Sequence, residues 1–183
     1  MKNPEKDSVW TVMSLMALSA RTAPKGKGLD SLVINGVTGE DLGLLAAEMT
    51  RLGNAMKLGF FLRDAENVAA SDGCLLLGIA GQKGVGINCG GCGFPTCSEM
   101  QDHSASGKDT ASPFSGPNCV IKMADLGIAA GSAVKTASLH NLDNRVMYSA
   151  GVAALSLGVL IPCSAAFGIP LKASGKNIFF DRS

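Results

Sequence analysis

Aromatic rings and charge are both scarce in this sequence: Phe, Trp and Tyr make up 5% and Asp, Glu, Lys and Arg 17% of its 183 residues. Few aromatic rings leave few platforms on which bases could stack. The net charge is +1 and no basic run is present, so a nucleic-acid partner is not expected, because its phosphates need a concentrated positive patch. Internal repeats and low-complexity segments are also missing. There are two histidines; His103 and His140 have no partner at ligand spacing and are expected at the surface. Two apolar segments imitate membrane signals without matching them. Val9 to Ala20 could pass for a signal-peptide core ending at Leu18-Ser19-Ala20, but Glu5 and Asp7 precede it, where such a peptide carries only positive charge. Val146 to Ile169 is long enough to span a bilayer. Yet it contains Tyr148, Ser149, Ser156 and Ser164 and is broken between Gly158 and Pro162, so a helix followed by a buried strand is expected instead. A membrane location is therefore not expected.

What is present points to a packed redox or metal protein. Apolar residues make up 46% of the chain, enough for a real core, and its length suits a single domain over 1–183. Glycine is heavy, at 23 residues, and clusters between 73 and 93, where backbone comes close to something else. Six cysteines in a chain with this much core fit a reducing cytoplasm better than a disulfide scaffold.

Helical spacing of Val9, Val12, Met13, Met16 and Ala20 predicts a first helix, capped by Asp7 or Ser8 and ended by Pro24, Gly26 and Gly28. Leu32-Val33-Ile34 is a short strand. Thr38-Gly39-Glu40-Asp41 is a capping-box variant opening a second helix that Gly59 stops. Asp64 to Ala70 is a short helix. The run Cys74 to Ile79 is apolar on both faces and belongs at the centre of a sheet. Short and long helices follow at Cys97 to about Ser104 and Val120 to Leu139, with a polar loop at 106–118 between them. A further helix runs from Asn144 to Leu157, with Asp143 or Asn144 as its cap, and Ala165 to Ile169 is the last strand. The elements predict an α+β fold with helices on a small sheet. Cys74 and Cys163 fall in predicted strands and read as small core residues.

Cys89, Cys92, Cys97 and Cys119 are different. They follow the order C-x2-C-x4-C-x21-C and fill a glycine-rich segment, 88–119. Four thiolates converging on one point make an iron–sulfur or zinc site. A [4Fe–4S] cube takes one thiolate per iron, with close ligands around one face and a distant one closing the fourth. Gly90, Gly91 and Gly93 free the loop amides to turn toward sulfur, and Pro95 stiffens the turn. The spacing favours the cube. A structural zinc on the same four sulfurs is the competing reading, and a thiol–disulfide couple at Cys89 and Cys92 is a third that leaves Cys97 and Cys119 unexplained.

The segment Cys89-Gly90-Gly91-Cys92-Gly93-Phe94-Pro95-Thr96-Cys97 resembles the motif of the [4Fe–4S] modules in corrinoid iron–sulfur proteins and in a membrane electron-transport subunit. Cys119 departs from it by arriving after a longer gap. Nearly end to end, the chain resembles a family of uncharacterised ferredoxin-domain proteins of anaerobic bacteria and archaea. Its marks here are Ala20-Arg21-Thr22-Ala23-Pro24-Lys25, Arg63-Asp64-Ala65-Glu66-Asn67, Asp125-Leu126-Gly127-Ile128-Ala129, Asp143-Asn144-Arg145-Val146-Met147-Tyr148 and Gly168-Ile169-Pro170-Leu171. A weaker echo is of flavin nitroreductases, in the helix, Ala-Pro turn, strand and helix of 9–56 and in the strand ending Gly168-Ile169-Pro170. That resemblance implies a nitroreductase-like α+β scaffold carrying an inserted iron–sulfur loop, a homodimer, and FMN with its phosphate near Arg21, Lys25 and Lys176 or Arg182. Lys25-Gly26-Lys27-Gly28 stands where those enzymes carry their flavin-facing Asn-x-Gln-Pro-Trp segment. A solvated loop at the negative end of a helix accounts for Arg21, Lys25 and Lys27 equally simply.

The expectation is an iron–sulfur electron-transfer protein that exchanges electrons with a partner protein or a small-molecule acceptor. The resemblance to the nitroreductases extends it to a flavin-coupled oxidoreductase. The alternative is an interaction subunit stapled by zinc or by a cluster without a redox role.

Overall fold

A computed structural model of the chain describes residues 3–106 and 112–180. The first helix, α1 (Pro4–Thr22), starts earlier than its apolar spacing suggests. The Asn3 side chain accepts the amides of Glu5 and Lys6, and Pro4 sits in the first turn where a missing N–H costs nothing. Asp7 and Ser8 therefore lie inside the helix. A single 3₁₀ turn at Gly26–Gly28 follows, then β1 (Leu32–Val37), α2 (Glu40–Met56) and α3 (Gly59–Ala69). Thr38 does not cap α2: Gly39 holds that position and no side chain bonds the first amides. Gly59 does not stop α2 either. The helix ends at Met56 because Lys57 turns left-handed, and Gly59 opens α3.

β2 (Gly73–Ile79) is buried along its whole length. The chain continues through the cysteine loop into α4 (Cys97–Ala105), α5 (Val120–Leu139), a two-residue β3 (Asp143–Asn144), α6 (Tyr148–Ser156) and β4 (Ala165–Lys172). Asp143 and Asn144 are sheet residues, not a helix cap: they pair with Lys172 and Leu171 of β4. Cys163 lies before β4, half-buried in a loop, because Gly158 and Pro162 keep this stretch from pairing until Ala165.

The sheet is antiparallel throughout, in the order β1-β2-β4-β3. The two-residue period of a strand sorts the core onto two faces. Leu75, Leu77 and Ile79, with Leu32, Ile169 and Leu171, face α1 and α5. Cys74, Leu76 and Ala166 face α2, α3 and α6. Two apolar faces explain why β2 reads as an unbroken run, and each fully buried Leu contributes about 1.5–3 kcal/mol over an exposed one. This is the α+β architecture of helices on a small central sheet that the sequence predicts. No helix among the described residues is long and apolar enough to cross a membrane.

On the second face, α6 lies almost against β4. A Cβ added to Gly151 would come 2.0 Å from the Ala166 carbonyl oxygen, and one on Gly168 would come 2.5 Å from the Ala150 Cβ. Buried Asp64 joins α3 to α6: it accepts a 2.6 Å hydrogen bond from the Ser149 hydroxyl and pairs with Arg63. After β4 the chain turns back, so that Asn177 donates to Asp143 and the Phe179 carbonyl accepts from Arg145.

Candidate metal centre

The cysteine loop begins where β2 ends. Gly86, Asn88, Gly90 and Gly93 all take positive φ. The loop thus winds through left-handed turns that glycine and asparagine tolerate best. A short turn closes Gly90 to Gly93, whose amide donates to the Gly90 carbonyl at 2.9 Å. Cys97 then opens α4. Thr96 caps it through the Glu99 amide, and its hydroxyl donates to the Glu99 carboxylate.

Asn88 holds Cys97 from two sides. Its side-chain oxygen accepts the Cys97 amide at 2.9 Å. Its own amide, with those of Gly86 and Ile87, bonds the Cys97 sulfur; these contacts, Asn88 first, pull the thiol below its ordinary value, and the nearby Lys27 ammonium adds to the effect. Successive amides pointing at one sulfur form an anion nest. Gly84 makes room for it, since a Cβ there would come 2.8 Å from the Cys97 Cβ.

Cys119 is buried and stands at the N-cap of α5. It packs with Val85 and Met100, and Cys92, Phe94 and Ile121 pack against that small cluster. Gly91 lies against the first turn of α5: a Cβ there would come 2.6 Å from Val120 Cγ1 and 3.7 Å from Cys89 Sγ. Cys89 itself is exposed. Cys97 and Cys119 thus stand at the amino ends of α4 and α5, and Cys89 and Cys92 lie in the loop between β2 and α4. Among the described residues, no group of three or more Cys, His, Asp or Glu is drawn close enough to hold a single metal ion. A tetrahedral zinc, with Zn–S bonds of about 2.3 Å, needs its sulfurs roughly 3.8 Å apart. The donor set itself suits an iron–sulfur group: thiols, and glycine where the backbone must approach.

The cations proposed for a flavin phosphate lie elsewhere. Arg21 pairs with Asp30 at 2.5 Å and donates to the Leu32 carbonyl. Lys25 donates to the carbonyls of Ala20, Arg21 and Ala23, closing the carboxyl end of α1. Lys176 follows β4, in a turn where its carbonyl accepts from Ser174. Arg182 lies outside the described residues.

Sequence reasoning missed the supporting residues. The loop after α1 is clamped to α5 by two buried charges: Asp125 accepts the Gly26 amide at 2.9 Å, and Lys122 donates to the Leu29 carbonyl at 2.5 Å. Asn118 donates to the Ser115 carbonyl and accepts from Ser164. The available signal was a repeated dipeptide, since Asn-Cys occurs both at 88–89 and at 118–119.

Comparison with known proteins bears on the same segments. The family described as "Putative Fe-S cluster" matches residues 86–112, and the family described as "Uncharacterized protein containing a ferredoxin domain" matches residues 115–182. An uncharacterized protein of Archaeoglobus fulgidus is 43% identical over 182 residues, covering 100% of this chain and 96% of the relative. Among solved structures, nitroreductase A from Vibrio parahaemolyticus superposes with a TM-score of 0.54 at 16% identity, over 91% of this chain and 59% of that one. A nitroreductase with bound FMN from Desulfitobacterium hafniense gives 0.56 at 12% identity, over 91% and 78%. At such identities the likeness is one of fold: this chain has a nitroreductase-like fold and spans about three-fifths of the first of these enzymes.

Proposed function

We propose a function from the premise that this chain belongs to the family of uncharacterized proteins containing a ferredoxin domain. It is an iron–sulfur redox protein that carries a [4Fe–4S] cluster on Cys89, Cys92, Cys97 and Cys119 and passes electrons singly to a partner. One observation supports this reading: Cys97, with loop amides at its sulfur and at the amino end of α4, lies with Cys89 and Cys92 in the segment that matches an iron–sulfur family.

A bound cluster supplies reversible one-electron chemistry. The chain's own residues set its conditions. Amides of Gly86, Ile87 and Asn88 at the Cys97 sulfur stabilise added negative charge and so raise the reduction potential. Buried Cys119, held by its amide on the Gly81 carbonyl at 2.8 Å, is the inner anchor. Exposed Cys89 brings the site to the surface, where an electron donor can approach.

FMN is the finer part of the proposal, supported by the shared fold with an FMN-bound nitroreductase. A phosphate at Arg21 and Lys25 would compete with Asp30 and with the carbonyls that end α1. A homodimer is the assembly this reading takes.

The test is anaerobic purification with iron, sulfide, zinc and flavin quantified on one sample. The expected result is about four irons and four sulfides per chain. Zinc at full occupancy without sulfide would falsify the cluster. Flavin absorbance that survives bleaching of the iron decides whether FMN is a second cofactor.

A further inference from the structure

Lys122 and Asp125 stand one turn apart on α5 and are both buried, 2% and 3% exposed. The loop after α1 is their common neighbour. It lies so close to α5 that a Cβ on Gly26 would come 2.3 Å from Ile121 Cγ2. Lys122 donates to the Leu29 carbonyl and Asp125 Oδ1 accepts the Gly26 amide, so each charge is bonded to the loop. Asp125 Oδ2 meets no hydrogen-bond donor among the described residues. Burying an ammonium on one carbonyl, and a carboxylate with one idle oxygen, costs stability that apolar residues would not. Clamping a loop does not require charge, since neutral side chains also donate to a carbonyl and accept from an amide.

The same helix begins at the metal centre. Cys119 is its N-cap, and the Met123 amide donates to the Cys119 carbonyl at 3.0 Å, so the first turn is closed there. Lys122 is thus one turn from Cys119, a spacing that sets Cβ atoms about 5–6 Å apart on one helix face. Both residues are buried. Ile121, between them in sequence, packs against the Cys119 cluster and lies against the Gly26 turn. Asp125 comes one turn later, about twice as far along the axis from Cys119 at a rise of about 1.5 Å per residue. The nearer of the two buried charges is therefore the cation, and burial leaves it little screened by water or salt.

We propose that Lys122 is a potential-setting residue: its buried positive charge, one helical turn from Cys119, favours the reduced cluster, and Asp125 opposes it from further along α5. This rests on the function proposed above. Each reduction takes one electron from the partner and adds one unit of negative charge at the cysteines. A fixed cation nearby therefore stabilises the reduced state more than the oxidised one. A unit charge on the order of 10 Å away, at an effective dielectric of about 20, shifts such an equilibrium by about tenfold. For one electron that is about 59 mV.

The test is anaerobic potentiometric titration of the full, cluster-loaded chain, followed by cluster absorbance, in the parent and three variants. Lys122→Gln should lower the midpoint by about the tenfold shift given above. Lys122→Arg keeps the charge and should stay near the parent. Asp125→Asn keeps an oxygen for the Gly26 amide and should raise the midpoint by a smaller amount. The shifts should persist at high salt, because the charges are buried. A purely structural role does not give opposite signs, since a loosened loop that admits water moves both midpoints the same way. If Lys122→Gln does not hold iron and sulfide at the parent level, Asp125→Asn decides: a raised midpoint sustains the proposal, and an unchanged or lowered one overturns it. Midpoints that stay put in both variants, or move in one direction, overturn the proposal and leave the cluster in place. A parent chain without iron and sulfide overturns the functional reading and this proposal with it.

Discussion

Cysteine chemistry in this chain is set by each residue's neighbours. Amides of Asn88, Gly86 and Ile87 hold the Cys97 thiol below its ordinary value, while burial pushes Cys74, between two sheet neighbours and under α6, up to about 12. In metal-free protein at pH 7, iodoacetamide should therefore modify Cys97 well ahead of Cys74, since the thiolate is the nucleophile. Peptide mapping by mass spectrometry checks this, and equal labelling of the two would contradict the geometry. The Cys74 shift also fixes a sign. Its folded value lies above the ordinary thiol value of 9.0, so the fold favours the neutral thiol. That contribution is complete below about pH 9 and is lost as pH rises toward 12, because the unfolded chain ionises first. Denaturant titrations across this window should show stability falling less steeply in Cys74→Ala than in the parent. The core role of Cys74 was legible because an unbroken apolar run implies a central strand. Cys163 was misplaced in a strand because its apolar neighbours gave no sign that the chain is still turning there.

At the scale of elements, backbone proximity matters more than propensity. The contact of α6 with β4 needs small residues on both sides, and Gly151 leaves no room for a Cβ beside the Ala166 carbonyl. Gly151→Ala should lower stability by about 1–3 kcal/mol, the cost of forced repacking, read as an earlier midpoint in thermal or urea unfolding. An unchanged midpoint would show that α6 can move off the sheet. Alanine normally stabilises a helix relative to glycine, so the expected sign is opposite to the intrinsic one. Local rules failed at two element starts for a similar reason. The apolar period of α1 cannot register the turn that Asn3 and Pro4 add before it. Asn144 looked like a cap, and pairing with Leu171 made it a strand.

The whole molecule leaves apolar surface on the α1–α5 side. Ser19 and Thr136 hydroxyls meet at 2.7 Å, while Gly26 reaches Asp125 further toward the start of α5, so the two helices run antiparallel. This places Leu15 and Leu18 on turns neighbouring Leu139, and Leu18 and Leu139 are 60% and 72% exposed. A second copy covering this side is the arrangement the proposed homodimer would use. Light scattering should give about twice the 18.7 kDa chain mass, and Leu18→Glu should shift it toward one. A monomeric parent would remove the dimer from the reading without touching the cluster.

The sequence alone determined the class of fold, the central strand and the long helix after Cys119. These follow from local pattern: apolar period and glycine content both act over a few residues. Tertiary structure alone decided how the site is built. Asn88 holding Cys97 from two sides, the buried Lys122 and Asp125 clamping a glycine loop, and the Ser164 bridge from Gly81 to Asn118 all join atoms distant in the chain. Such contacts exist only after the sheet and its helices have brought those atoms within hydrogen-bonding range, a condition that no local spacing encodes.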